Sequence, residues 1–75
     1  MANFSIDTRG LLCPMPVIRA QDRVEELSLG DHLEVISSDP GALNDIPAWC
    51  RINGHAVLEK SQEGREVRIV IKVGS

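Results

Sequence analysis

Apolar residues change their spacing several times along this chain, and this alternation restricts the folds open to it. Between residues 66 and 73 they occupy every second position, which indicates a strand with one buried face. Between residues 14 and 27 they fall three and four positions apart, which indicates an amphipathic helix. Glycine-containing turns separate these segments. The pattern predicts strands at 4–7, 33–37, 56–61 and 66–73 and helices at 14–27 and about 42–52.

The order β-α-β-α-β-β predicts an α+β fold. We expect a two-layer α/β sandwich with both helices on one face of a four-stranded mixed sheet. Strands that alternate, rather than being continuously apolar, fit a sheet covered on a single face. The 75 residues bury one modest core, so we expect a single domain, residues 1–75.

Charge and composition argue against several function classes. The chain has 8 basic and 11 acidic residues, a net charge of −3, whereas nucleic-acid binding depends mainly on lysine and arginine neutralising phosphates. No long apolar run or basic leader is present, so we expect no membrane association and a cytoplasmic location. His32 and His55 do not combine with the cysteines in a zinc-binding spacing, so we expect no metal and no cofactor.

The segment from Gly10 to Pro16, with the sequence GLLCPMP, carries the chemistry that we expect of this chain. It places Cys13 where a glycine-broken loop meets the first helix, whose N-terminal end is electropositive. A thiolate is stabilised there, so we expect a lowered pKa and an exposed sulfur. Pro14 and Pro16 fix the backbone. A residue before proline avoids helical angles, which leaves Pro14 and Pro16 as two candidate starting points of the helix.

Other interpretations of the polar and sulfur-containing residues remain open. Cys13 could be a small buried core residue, which is a common role for cysteine. Cys50 lies near the expected core face of the second helix and is interpreted as structural. Asp45 and Arg51 are interpreted as surface charges. A thiol redox switch that uses Cys13 and Cys50 is the alternative function.

Three sequence motifs together resemble the TusA/SirA family of small sulfur-carrier proteins. They are Gly-x-x-Cys-Pro-x-Pro at 10–16, Asp-Pro at 39–40 and Asp-Ile-Pro-x-x-Cys at 45–50. The resemblance implies a fold like the C-terminal domain of translation initiation factor 3. It also implies a sulfurtransferase activity in which Cys13 accepts a sulfane sulfur as a persulfide and passes it on.

The resemblance further implies protein partners. The sulfur donor would be a cysteine desulfurase or a rhodanese-like protein, and the acceptor a DsrE-like or similar protein. The sulfur would serve tRNA thiolation, sulfur oxidation or cofactor sulfuration. We expect a monomer between encounters and a partner-binding surface around the sulfur formed by Leu11, Leu12, Pro14, Met15 and Pro16.

Overall fold

A computed structural model describes residues 2–74 and contains four strands and two helices in the predicted order. They are β1 (Asn3–Thr8), α1 (Met15–Glu25), β2 (His32–Ser37), α2 (Ala42–Asn53), β3 (Ala56–Glu63) and β4 (Glu66–Lys72). None of the helices in this range is long and apolar enough to cross a bilayer.

The four strands form one mixed sheet in the order β1-β2-β4-β3. β1 and β2 are parallel, whereas β4 is antiparallel to both of its neighbours. Leu33 of β2 is paired with Phe4 of β1 on one side and with Ile71 of β4 on the other. The predicted α+β sandwich is therefore confirmed.

Burial alternates along the two central strands, so the sheet has one covered and one open face. Leu33, Val35 and Ile69 are buried against the helices, where Ala20 of α1 and Ile46 of α2 complete the core. The open face carries charged side chains together with Ile36 and Val70. On it Arg68 of β4 forms an ion pair of 3.2 Å with Glu34 of β2.

The helix boundaries differ from those predicted. α1 begins at Met15, between the two candidate starting points, and ends at Glu25 rather than at 27. Its end is tightened by a bond from the Leu27 amide to the Val24 carbonyl, an i→i−3 bond of the 3₁₀ type. α2 continues through Pro47 and ends at Gly54, which has a φ of 78° as expected of a helix-terminating glycine.

Candidate functional site

Cys13 lies exposed in the loop that joins β1 to α1, two positions before the helix begins. Gly10 turns the chain at the end of β1 with a φ of 84°. The Gly10 amide then donates a hydrogen bond of 2.9 Å to the Ser38 hydroxyl in the loop between β2 and α2. The two loops at this edge of the sheet are thereby held side by side.

The Asp39 carboxylate joins the same two loops. It accepts one hydrogen bond of 2.9 Å from the Cys13 amide and another of 2.9 Å from the Gly41 amide. Both bonds hold the pKa of Asp39 below its ordinary value, and the bond from Gly41 has the larger effect. Gly41, rather than Asp39, is the residue that flanks the start of α2.

Asp45 accepts a hydrogen bond from the thiol of Cys13. The Sγ donates a hydrogen bond to Oδ2 of Asp45 at 2.8 Å. Asp45 is half-buried in the first turn of α2, where its amide donates a bond of 2.9 Å to the Gly41 carbonyl. Asp45 is therefore not the free surface charge that the sequence indicated.

Gly41 leaves room for both carboxylates. A Cβ at this position would lie 3.3 Å from Oδ1 of Asp39 and 3.7 Å from Oδ2 of Asp45. The first distance is tighter than most contacts in proteins, so a side chain here would displace the carboxylate that holds the Cys13 loop.

The expectation of a lowered pKa for Cys13 is wrong. The hydrogen bond to Asp45 raises the pKa of the thiol, and desolvation and the charges of Asp45 and Asp39 act in the same direction. The start of α1 does not oppose them, because Pro14 and Pro16 have no amide hydrogen. The Met15 amide is already bonded to the Leu12 carbonyl at 2.8 Å.

The Val17 amide is likewise bonded to the Pro14 carbonyl at 3.1 Å. Pro14 and Pro16 fix the backbone at the start of α1, but they provide no amide hydrogen that could bond to a thiolate. Arg9, the basic residue nearest to Cys13 in the sequence, pairs with Asp7 at 2.8 Å and with Glu66 at 3.5 Å.

Exposed apolar side chains lie beside Cys13 in the sequence. Leu12 is 76% exposed and Met15 36% exposed. Pro14 is also exposed, and Leu11 is half-buried. Pro16 is fully buried, which corrects its assignment to a partner-binding surface.

Ile18 extends this surface and was missed in the sequence. It is 40% exposed and follows Met15 by one helical turn. The i, i+3 spacing places the two on one side of α1, and this spacing could have identified Ile18.

Cys50 differs from Cys13 in its exposure to solvent. It is fully buried in the core, and burial raises the pKa of its thiol to about 11. His55 has a structural contact, since its Nδ1 accepts the Gly74 amide at 2.9 Å. Within residues 2–74, no cluster of three His, Cys, Asp or Glu side chains is placed to hold a metal.

Comparisons with known proteins agree with this arrangement. The profile of the family described as "Sulfurtransferase TusA" matches residues 4–73. The sulfur carrier protein TusA of Allochromatium vinosum is 36% identical over 74 residues, covering 96% of this chain and 97% of its own. The protein YrkI of Bacillus subtilis is 42% identical over 69 residues, covering 92% of each chain.

A solved structure has the same fold. The SirA-like protein of Desulfitobacterium hafniense superposes with a TM-score of 0.83 at 24% identity and covers 96% of this chain and 99% of its own. The family match spans nearly the whole chain, and close sequence relatives carry the same family name. This chain therefore belongs to the sulfurtransferase TusA family of sulfur carriers.

Proposed function

We propose that Cys13 accepts a sulfane sulfur as a persulfide from a donor protein and passes it to an acceptor protein. The observation that carries this proposal is the position of Cys13. Its thiol is exposed and donates a hydrogen bond to Asp45, and its backbone amide donates one to Asp39. A sulfur presented in this way can be reached by the reactive group of another protein.

Each transfer is a displacement at sulfur. The Cys13 thiol first loses its proton to solvent, and the resulting thiolate attacks the outer sulfur of the donor persulfide. A new S–S bond forms, and the donor leaves as a thiolate. An acceptor thiolate then attacks the outer sulfur of the Cys13 persulfide. The S–S bond breaks with its electron pair on Sγ, which takes up a proton from solvent, and the whole sequence requires no net oxidant.

The surroundings of Cys13 suit contact with protein partners. Leu12 and Met15 expose apolar surface on either side of it in the sequence, and both supply area that a partner could bury. The resemblance to the family implies a cysteine desulfurase or a rhodanese-like protein as the donor and a DsrE-like or similar protein as the acceptor.

The alternative redox switch has less support because of Cys50. Its sulfur has no exposed surface, and its raised pKa leaves little thiolate to attack an oxidised Cys13. A Cys13–Cys50 disulfide would also require the core to open.

Replacement of Cys13 tests the proposal. We expect Cys13→Ser to abolish sulfur loading when the protein is incubated with glutathione persulfide and its intact mass is measured for the gain of one sulfur atom. The serine hydroxyl is almost the same size but cannot form a persulfide.

The matched control is Cys50→Ala, which removes the second thiol without placing a hydroxyl in the core. We expect it to load as fully as the unsubstituted protein. Equal loading of Cys13→Ser and the unsubstituted protein would contradict the proposal.

A further inference from the structure

We propose that Asp45 is a positioning residue that holds Cys13 as the protonated thiol in the unloaded carrier and thereby favours release of the carried sulfur. The role in release rests on the proposed function of Cys13. The role in holding the proton does not, because it concerns the unloaded protein alone.

The hydrogen bond between the two side chains defines where the proton lies. An ionised carboxylate can only accept, so the Sγ at 2.8 Å from Oδ2 of Asp45 must carry the proton. The backbone of Asp45 is fixed by the helical bond from its amide to the Gly41 carbonyl, and the residue is half-buried. Loss of the proton would place two negative atoms at this distance.

The other charge that faces the sulfur within the described part of the chain has the same sign. Asp39 approaches from the loop between β2 and α2, and both of its carboxylate oxygens are already engaged with backbone amides. At the start of α1 lie Pro14 and Pro16, which have no amide hydrogen to donate to a thiolate. The raised pKa of Cys13 agrees with this geometry.

Loading removes the contact that Asp45 makes. In the persulfide Sγ is bonded to the second sulfur and has no proton to donate, so the bond to Asp45 is lost. When the acceptor takes the outer sulfur, Sγ is protonated by solvent and the bond forms again. Asp45 therefore stabilises the unloaded carrier relative to the loaded one, which favours delivery of the sulfur.

The same bond protects the unloaded carrier. Oxidants and alkylating agents react with the thiolate rather than with the thiol. A thiol that is kept protonated is therefore slow to react with them even though it is exposed.

The pH profile of alkylation tests the proposal without any sulfur donor. In a Cys50→Ala background, the rate of modification by iodoacetamide is measured by intact mass across a range of pH. Asp45→Asn removes the charge, and its amide group can donate to a thiolate. We expect its profile to move to lower pH by about one unit, with about tenfold faster alkylation at neutral pH.

Two controls separate this effect from a structural one. Asp45→Glu keeps the charge, and we expect its midpoint to stay near that of the parent. Asp22→Asn removes an exposed carboxylate on the outer side of α1, and we expect no shift. A profile of Asp45→Asn that is unchanged or moves to higher pH would overturn the proposal.

A measurement on the Cys50→Ala parent alone covers the case in which Asp45→Asn fails to fold. The ultraviolet absorbance of the thiolate is titrated in the folded chain and in the chain unfolded by urea. We expect the folded midpoint at the higher pH. A folded midpoint equal to or below the unfolded one would overturn the proposal, whether or not Cys13 ever carries sulfur.

Discussion

Two carboxylates with different roles lie beside Cys13. Asp39 binds backbone amides from both loops and so fixes where the cysteine lies. Asp45 binds the thiol itself and so affects its protonation. Asp39 therefore acts mainly on the position of the sulfur and Asp45 on its protonation, and the charge of Asp39 also raises the pKa of the thiol.

Asp39→Asn should lower the free energy of unfolding at neutral pH. The two amide bonds hold the pKa of this carboxylate below its ordinary value, so the ionised form stabilises the folded state. This contribution is complete above the unfolded pKa of about 3.9 and is lost as the pH falls through the lower folded value. The difference between the variant and the parent, measured by urea denaturation, should therefore shrink toward about pH 3.

Glu59→Gln is the control for this prediction, because Glu59 is exposed on the edge strand β3. We expect its unfolding curve to match that of the parent at both pH values. An Asp39→Asn variant as stable as the parent at neutral pH would show that the two amide bonds contribute nothing.

The sequence identified Cys13 as a candidate but did not identify the residues that contact it. The proline-flanked cysteine after a glycine is a local pattern and can be read from adjacent residues. The contact with Asp45 joins positions 32 apart, and nothing in the spacing of the chain indicates it. The predicted pKa failed for a related reason, since the helix end was treated as a set of free amides although its prolines supply none.

At the scale of elements, α2 carries the most unusual local sequence. Pro47 lies inside the helix, where it has no amide to give to the Leu43 carbonyl and its ring crowds the preceding turn. The helix nevertheless continues to Asn53, because Ile46 and Cys50 are buried in the core on either side of the proline. Tertiary packing here outweighs local propensity.

Pro47→Ala should therefore stabilise the protein. An internal proline costs a helix about 3 kcal/mol relative to alanine. The alanine variant also has a more flexible unfolded chain, which offsets part of the gain. We expect the free energy of unfolding in urea to rise by about 1–2 kcal/mol.

Pro40→Ala is the matched control, because Pro40 precedes α2 and its substitution restores no bond within the helix. We expect it to lower the free energy of unfolding by about 0.4–1 kcal/mol, because only the effect on the unfolded chain remains. A Pro47→Ala variant that is less stable than the parent would mean that packing of the proline ring outweighs the restored hydrogen bond.

Most of the fold followed from the sequence because its signals repeat within each element. The alternation in β4 and the three-and-four spacing in α1 are visible over several residues and predicted both elements. The ends were less predictable, since they depend on single bonds such as that from Met15 to Leu12. The role proposed for Cys13 came from the resemblance to a known family, because periodicity carries no such information.

Over the whole molecule, one small core supports the loop that presents the sulfur. The central strands contribute Leu33 and Ile69, and α2 contributes Ile46, the residue that follows Asp45. A protein of 75 residues has a total stability of about 4–11 kcal/mol. Loss of one large core side chain is therefore a substantial fraction of the whole.

Two isoleucines of α2 allow this dependence to be measured within one helix. Ile46 is fully buried, whereas Ile52 is 83% exposed. Ile46→Ala should lower the free energy of unfolding in urea by about 2–5 kcal/mol, because it removes buried methyl groups and leaves a cavity. Ile52→Ala should change it by no more than about 0.5 kcal/mol, since alanine is the better helix former and little burial is lost. Equal losses in the two variants would contradict the placement of α2 on the sheet.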